Sequence, residues 1–126
     1  MIFISIFTTQ VFSQPQVGLL KSVTGDVSIQ RNETIVPATT GRQLENKDIL
    51  ITRDNSTAGI IFTDGTTFAV GPNTEFEMSN YLFEPESDIY DFSLHLKKGS
   101  AVYNSGKIEK LAPDAVNLST PRATIG

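Results

Sequence analysis

The chain has 126 residues, 39% of them apolar, with ten basic and fourteen acidic side chains and a net charge of −4. That length suits one domain burying about two-thirds of its unfolded surface, and without a basic stripe nothing supports a phosphate-reading, nucleic-acid role. Zero cysteines exclude disulfides, thiolate metal sites, a Cys nucleophile and a lipid anchor on an N-terminal Cys.

Ile2-Phe3-Ile4-Ser5-Ile6-Phe7 is a short apolar run, far below membrane-spanning length. Val11-Phe12-Ser13 follows, with residues suited to signal-peptidase cleavage after Ser13. No Lys or Arg precedes the run, and a first buried strand is the competing reading. Residues 1–13 are therefore expected to be a truncated export signal, and 14–126 the domain, located in the periplasm or outside the cell.

Short alternating segments come next. Val17 to Val23 alternates, Thr24-Gly25-Asp26 breaks it, and Val27-Ser28-Ile29 resumes. Asn32-Glu33 reads as a turn, Thr34-Ile35-Val36 stops at Pro37, and Leu50 and Thr52 precede the turn Asp54-Asn55-Ser56. Strands of this length between Gly, Asn, Asp and Pro clusters predict an all-β domain.

Between Ala58 and Met78 the apolar residues and Thr fall on even numbers: Ala58, Ile60, Phe62, Thr66, Phe68, Val70, Thr74, Phe76 and Met78. A two-residue turn on Asp64-Gly65 would split this set between two faces. A three-residue loop, Thr63-Asp64-Gly65, keeps it on one, setting Phe62 opposite Thr66, Ile60 opposite Phe68 and Ala58 opposite Val70. Such a loop is a type I turn ending in a left-handed Gly65. Gly71-Pro72-Asn73 is also odd in length, so the phase continues whether it makes a hairpin or a corner. Beyond it, Glu84 to Asp88 reads as a loop; Phe92, Leu94 and Leu96 alternate up to Gly99; Ala101-Val102-Tyr103 follows. Val116, Leu118 and Thr120 alternate before Pro121. No amphipathic helix is evident, and Pro113 limits Leu111 to Val116 to one turn.

Thr24 to Ile29, Asp48 with Leu50 and Thr52, Phe62-Thr-Asp-Gly-Thr-Thr-Phe68, Leu94-x-Leu96-x-x-Gly99 and Thr120-Pro-Arg-Ala-Thr-Ile-Gly126 stand in an order that resembles FecR-type domains. The resemblance covers about residues 17 to 126. It implies an all-β periplasmic domain of twin-layered antiparallel sheets, solenoid-like or sandwich-like with short strands, from a family that includes membrane-spanning sensors relaying a signal from an outer-membrane transporter to a cytoplasmic sigma factor. The cytoplasmic segment and spanning helix of such sensors have no counterpart here. Family members continue past the position of Gly126, so the last strand, starting near Arg122, is expected to be cut short.

Candidate chemistry is sparse. His95 is the only histidine, and its place between Leu94 and Leu96 points it away from their face. Glu84, Glu86, Asp88 and Asp91 could together collect a hard cation such as calcium. Pro85 and the lack of a Gly-punctuated calcium loop favour a solvated turn instead. Glu75 and Glu77 alternate with Phe76 as a wet strand face, and Lys97-Lys98 reads as an exposed strand end. Tyr81, Tyr90 and Tyr103 could line a sugar or peptide surface, or belong to core and rim.

No catalytic, cofactor-binding or metal-ligating residue is assigned, and no cofactor is expected. The function expected is a non-enzymatic exported interaction or sensory module, in contact with an envelope protein. The alternative is a small-ligand or carbohydrate-binding β domain of a larger surface protein. A hydrolase built on the acidic cluster is the weakest reading, because carboxylates so close in sequence rarely bracket a scissile bond.

Overall fold

The alternating segments become eleven strands within residues 16–120, the range described by the structure, a computed structural model. They are β1 (Gln16–Thr24), β2 (Val27–Arg31), β3 (Thr34–Pro37), β4 (Gln43–Glu45), β5 (Ile49–Thr52), β6 (Thr57–Phe62), β7 (Thr67–Val70), β8 (Glu75–Glu84), β9 (Ile89–Lys98), β10 (Ala101–Asn104) and β11 (Val116–Ser119). A single short helix among the described residues, α1 (Lys107–Leu111), lies between β10 and β11. Five strands pair in the order β10-β7-β6-β1-β4, and six in the order β11-β9-β8-β5-β2-β3. The two sheets face each other across one apolar core, so the fold is an all-β sandwich.

The loop arithmetic holds. β6 and β7 pair with Ala58 opposite Val70 and Ile60 opposite Phe68. The Phe62 N–H donates to the Thr66 carbonyl at 2.8 Å, and the Gly65 N–H to the Phe62 carbonyl at 3.0 Å. Gly65 has φ +92°, a conformation that Cβ makes costly. Ala58, Ile60, Phe62, Phe68 and Val70 are all buried on the inner face of the five-stranded sheet.

Gly71-Pro72-Asn73 proves to be a corner. β7 belongs to one sheet and β8 to the other, yet Phe76 and Met78 remain buried, so a single phase serves both inner faces. Threonines pin the corner. The Thr52 hydroxyl donates to the Gly71 carbonyl at 2.6 Å and accepts the Thr74 N–H at 3.0 Å. The Thr74 hydroxyl in turn donates to the Pro72 carbonyl at 3.0 Å and accepts the Ser100 N–H at 3.1 Å. A register shift between Met78 and Asn80 then moves the inward set of β8 to odd numbers, placing Tyr81 opposite Phe92.

Several expectations need amendment. The sheets are not purely antiparallel, because β11 runs parallel to β9. The chain leaves β10 at one end of the sandwich and crosses through α1 before β11 begins, a connection long enough for parallel pairing. β3 includes Pro37, which an edge strand tolerates. β8 extends to Glu84, so the expected loop shrinks to a 3₁₀ turn at Pro85–Ser87 and Asp88. α1 was not expected: in five residues it buries only Ile108, too little to leave a period in the sequence. The turn expected between Leu111 and Val116 is a 3₁₀ turn at Pro113–Ala115. The export signal and the strand near Arg122 lie outside the described residues.

Candidate functional site

Among the described residues two buried carboxylates, Asp64 and Asp48, each anchor a polar cluster, and both are occupied by the fold itself. At one end of the sandwich Asp64, only 2% exposed, accepts four hydrogen bonds. The Thr66 N–H (3.1 Å) and the Tyr81 hydroxyl (2.9 Å) reach Oδ1, while the Thr66 hydroxyl (2.8 Å) and the Ile108 N–H (3.1 Å) reach Oδ2. The Tyr81 hydroxyl also accepts the Asp64 N–H at 2.9 Å, and the Lys107 N–H reaches the Asp64 carbonyl at 3.0 Å. One carboxylate thereby ties the β6–β7 loop, β8 and α1 together. With four donors around its two oxygens it has little capacity left to accept a substrate proton or hold a metal.

The second cluster joins β2 to the β4–β5 connection. The Arg31 guanidinium grips buried Asp48 in a fork, Nε to Oδ1 at 3.0 Å and Nη2 to Oδ2 at 2.9 Å, and contacts Glu45 at 2.7 Å. The Glu45 N–H completes the shell of Asp48 at 2.9 Å. The hydrogen bond to Asp48 raises the Arg31 pKa further, against the opposing effect of desolvation. Bidentate pairing of this kind fixes geometry as well as charge.

The residues singled out from sequence do not converge. His95 is half-buried on the outer face, with Nδ1 2.7 Å from the Ser119 hydroxyl on neighbouring β11. Glu84, Glu86 and Asp88 are exposed at the 3₁₀ turn, whereas Asp91 is engaged by Asn80 and by Ser93 at 3.1 Å. Among the described residues, no three His, Cys, Asp or Glu side chains stand where they could hold a metal ion. Glu77 pairs with Lys97 at 3.1 Å and Glu75 with Lys98 at 3.6 Å, a wet strand face as expected.

The tyrosines do not share a surface either. Tyr81 stacks on Phe62 in the core (centroids 5.1 Å apart), Tyr103 leans on Phe68 (5.2 Å), and Tyr90 lies against Phe83 (6.0 Å). Burial raises the Tyr81 pKa above the usual tyrosine range, with Asp64 adding to it. Burial first, then Glu109, pushes Tyr103 up to about 12. Both phenols are thus held neutral by the fold, while an unfolded tyrosine ionises near pH 10. Above that pH the unfolded state binds fewer protons than the folded one, so stability falls as pH rises. The stabilisation is fully present below pH 10; for Tyr81 the loss above it approaches about 1.4 kcal/mol per pH unit. Melting curves from pH 8 to 12 should show this decline, and Tyr81→Phe should flatten it while lowering stability at neutral pH. An unchanged slope in Tyr81→Phe would disprove the assignment.

The remaining feature is the side of the sandwich where β10 and β11 form the edges. Between them opens an apolar slit lined by Phe68, Phe76, Leu94, Leu96, Ala101, Leu118 and Ser119, with a cavity of only about 10 Å³. Small-molecule clefts usually start at about 300 Å³ and carry a few convergent polar groups. This slit offers one hydroxyl. The β10 edge beside it is uncharged and no described strand pairs with its outer side, with Val102 55% exposed. Sequence reading missed that edge, because a four-residue strand does not announce its place in a sheet. Among the described residues no helix is long and apolar enough to cross a membrane.

Fold and site together describe an all-β sandwich in which most of the buried polar side chains among the described residues bond within the fold; the Ser28 hydroxyl and the Arg42 Nε are buried with no hydrogen-bond partner there. Compared with family models, curated proteins and solved structures, the chain finds no match.

Proposed function

We propose that this chain is a non-enzymatic, exported interaction or sensory module that makes protein–protein contact at the cell envelope, in the manner of the FecR-type domains it resembles. The observation that carries the reading is the open edge of β10. Strand addition to an uncovered edge supplies affinity through backbone hydrogen bonds and needs no catalytic side chain. Asp48, Thr52, Ser56, Asp64, Thr66 and Thr74, all buried, are each hydrogen-bonded within the sandwich, which supports a binding rather than a catalytic role.

The test places a photo-crosslinking amino acid at Val102 and, for comparison, at Asp114, in protein expressed with its leader in a Gram-negative host. Mature protein beginning at Gln14 and a discrete protein adduct from Val102 alone, with an envelope protein or with a second copy of the chain, are expected. Intact Met1 on the soluble protein would defeat the export part. Equal or absent adducts from both positions would defeat the contact part. Amide shifts confined to Phe68, Leu96 and Leu118 on titration with sugars would favour the small-ligand alternative.

A further inference from the structure

Four strands form the sheet edges among the described residues, and they are not equally guarded. β3 ends in Pro37, and β4 has three residues with Glu45 tied to Arg31. β11 (Val116–Ser119) ends one residue before the end of the described range. β10 reads Ala101-Val102-Tyr103-Asn104, with no charge, no proline and no register shift against β7. Lysine, proline and bulges are the usual protections of an edge. β10 has none of them.

Its hydrogen-bonding phase is fixed by the Gly71 N–H, which donates to the Ser100 carbonyl at 2.9 Å. Alternation along an antiparallel ladder then assigns the bonded positions to Val102 opposite Ala69 and Asn104 opposite Thr67. Ala101 and Tyr103, at the intervening positions, direct their N–H and C=O groups off the sheet. No hydrogen bond reaches those groups from any described residue.

The outer face above this edge is unusual for a chain of net charge −4. The outward positions of β6, β7 and β10 are Thr57, Gly59, Ile61, Thr67, Ala69, Val102 and Asn104, all uncharged. The outer face of the other sheet carries Glu75, Glu77, Lys97 and Lys98. An uncharged face lets two copies of one acidic chain meet without like-charge conflict.

We infer that the β10 edge pairs antiparallel with β10 of a second copy, about a two-fold axis through Val102. The inference deepens the interaction-module reading and rests on it. In this register Ala101 meets Tyr103 of the partner copy and Tyr103 meets its Ala101. The four open groups on each strand therefore find partners at once. Val102 faces its own counterpart at a non-hydrogen-bonded position, where side chains approach most closely. Its exposed side chain is thereby covered. The two five-stranded sheets become one ten-stranded sheet, near the upper limit for an open twisted sheet. An isologous contact of this kind closes on itself and stops at two copies.

The absence of cysteine supplies a clean test. Opposed residues at a non-hydrogen-bonded position lie about 4.5 Å apart at Cα, within the range that a disulfide spans. Val102→Cys should form a covalent dimer under mild oxidant at least about tenfold faster than Ala69→Cys, which shares the face but sits one strand inward. Sedimentation of the otherwise unaltered chain should show a concentration-dependent dimer. Val102→Lys sets two like charges face to face, and should weaken that dimer by about tenfold or more without lowering the melting temperature. A chain monomeric at all concentrations, with both cysteine variants oxidising equally, would overturn the inference. So would a dimer untouched by Val102→Lys. An envelope-protein adduct from position 102 in a monomeric chain would overturn self-pairing alone and leave the broader reading standing.

Discussion

Replacing Asp64 by Ala is expected to destabilise the domain by about 3–5 kcal/mol, because it removes the acceptor shared by a cluster of buried donors. The carboxylate is the common acceptor for the Thr66 N–H, the Thr66 hydroxyl, the Tyr81 hydroxyl and the Ile108 N–H. Truncation to a methyl strands the Thr66 and Ile108 donors where water has poor access, each at a penalty of about 1–3 kcal/mol before relaxation, while the Tyr81 hydroxyl keeps the Thr63 hydroxyl at 3.0 Å. Relaxation keeps the sum below that simple product, since α1 can lift at Ile108 and admit solvent. Asn is the informative control. It keeps one carbonyl oxygen but turns an amide toward two donors, so it should fall between Ala and the parent. Urea midpoints measure the order, and hydrogen exchange at the Ile108 amide locates the opening. Parent-like stability of the Ala variant would show that the carboxylate is dispensable.

The second large effect is expected at Gly99. It sits at φ +94° where β9 turns into β10, and an ideal Cβ there would lie 2.6 Å from the Thr74 Cα, closer still to the Thr74 hydroxyl. Gly65 has nearly the same backbone, φ +92°, but a Cβ there would meet nothing within 4 Å. The pair separates conformational strain from collision. Gly65→Val, which adds β-branching to a left-handed backbone, should cost about 1–3 kcal/mol from strain alone, and Gly65→Asn much less. Gly99→Ala bears strain of the same kind plus overpacking of about 1–3 kcal/mol. It also displaces Thr74, which accepts the Ser100 N–H and holds the corner. A total of about 2–5 kcal/mol is expected, well above Gly65→Ala in the same melting experiment. Equal melting temperatures for the two Ala variants would refute the packing at this corner.

The β6–β7 register was fully legible in the sequence, because a three-residue loop is the solution that keeps Ile60 and Phe68 on one face. The same rule contained a signal that went unread. Asp64 falls on an even number inside that run, and Asp48 shares the parity of Leu50 and Thr52. Both carboxylates are buried, as their phase requires. The strand partners were less accessible. β1 pairs with β6 and β4, and β10 with β7, through contacts distant along the chain that alternation alone does not specify. β4 offers a single buried residue, Leu44, and α1 a single Ile108, so neither has a period to detect. The open β10 edge is a property of sheet order, and a strand reads the same from sequence whether it lies at the margin or the centre.

The odd-length corner at Gly71-Pro72-Asn73 bears on how the chain can vary in length. It joins the inner face of one sheet to the inner face of the other, so residue parity is carried from Val70 through to Phe76 and Met78. Losing one residue there would turn Phe76 and Met78 outward and Glu75 and Glu77 inward, a frame error in folding without any change of reading frame in the gene. Losing or gaining two residues would preserve the frame and alter only the corner. Natural length variation at this position should therefore come in pairs, the same restriction that the Thr63-Asp64-Gly65 loop meets within the β6–β7 hairpin.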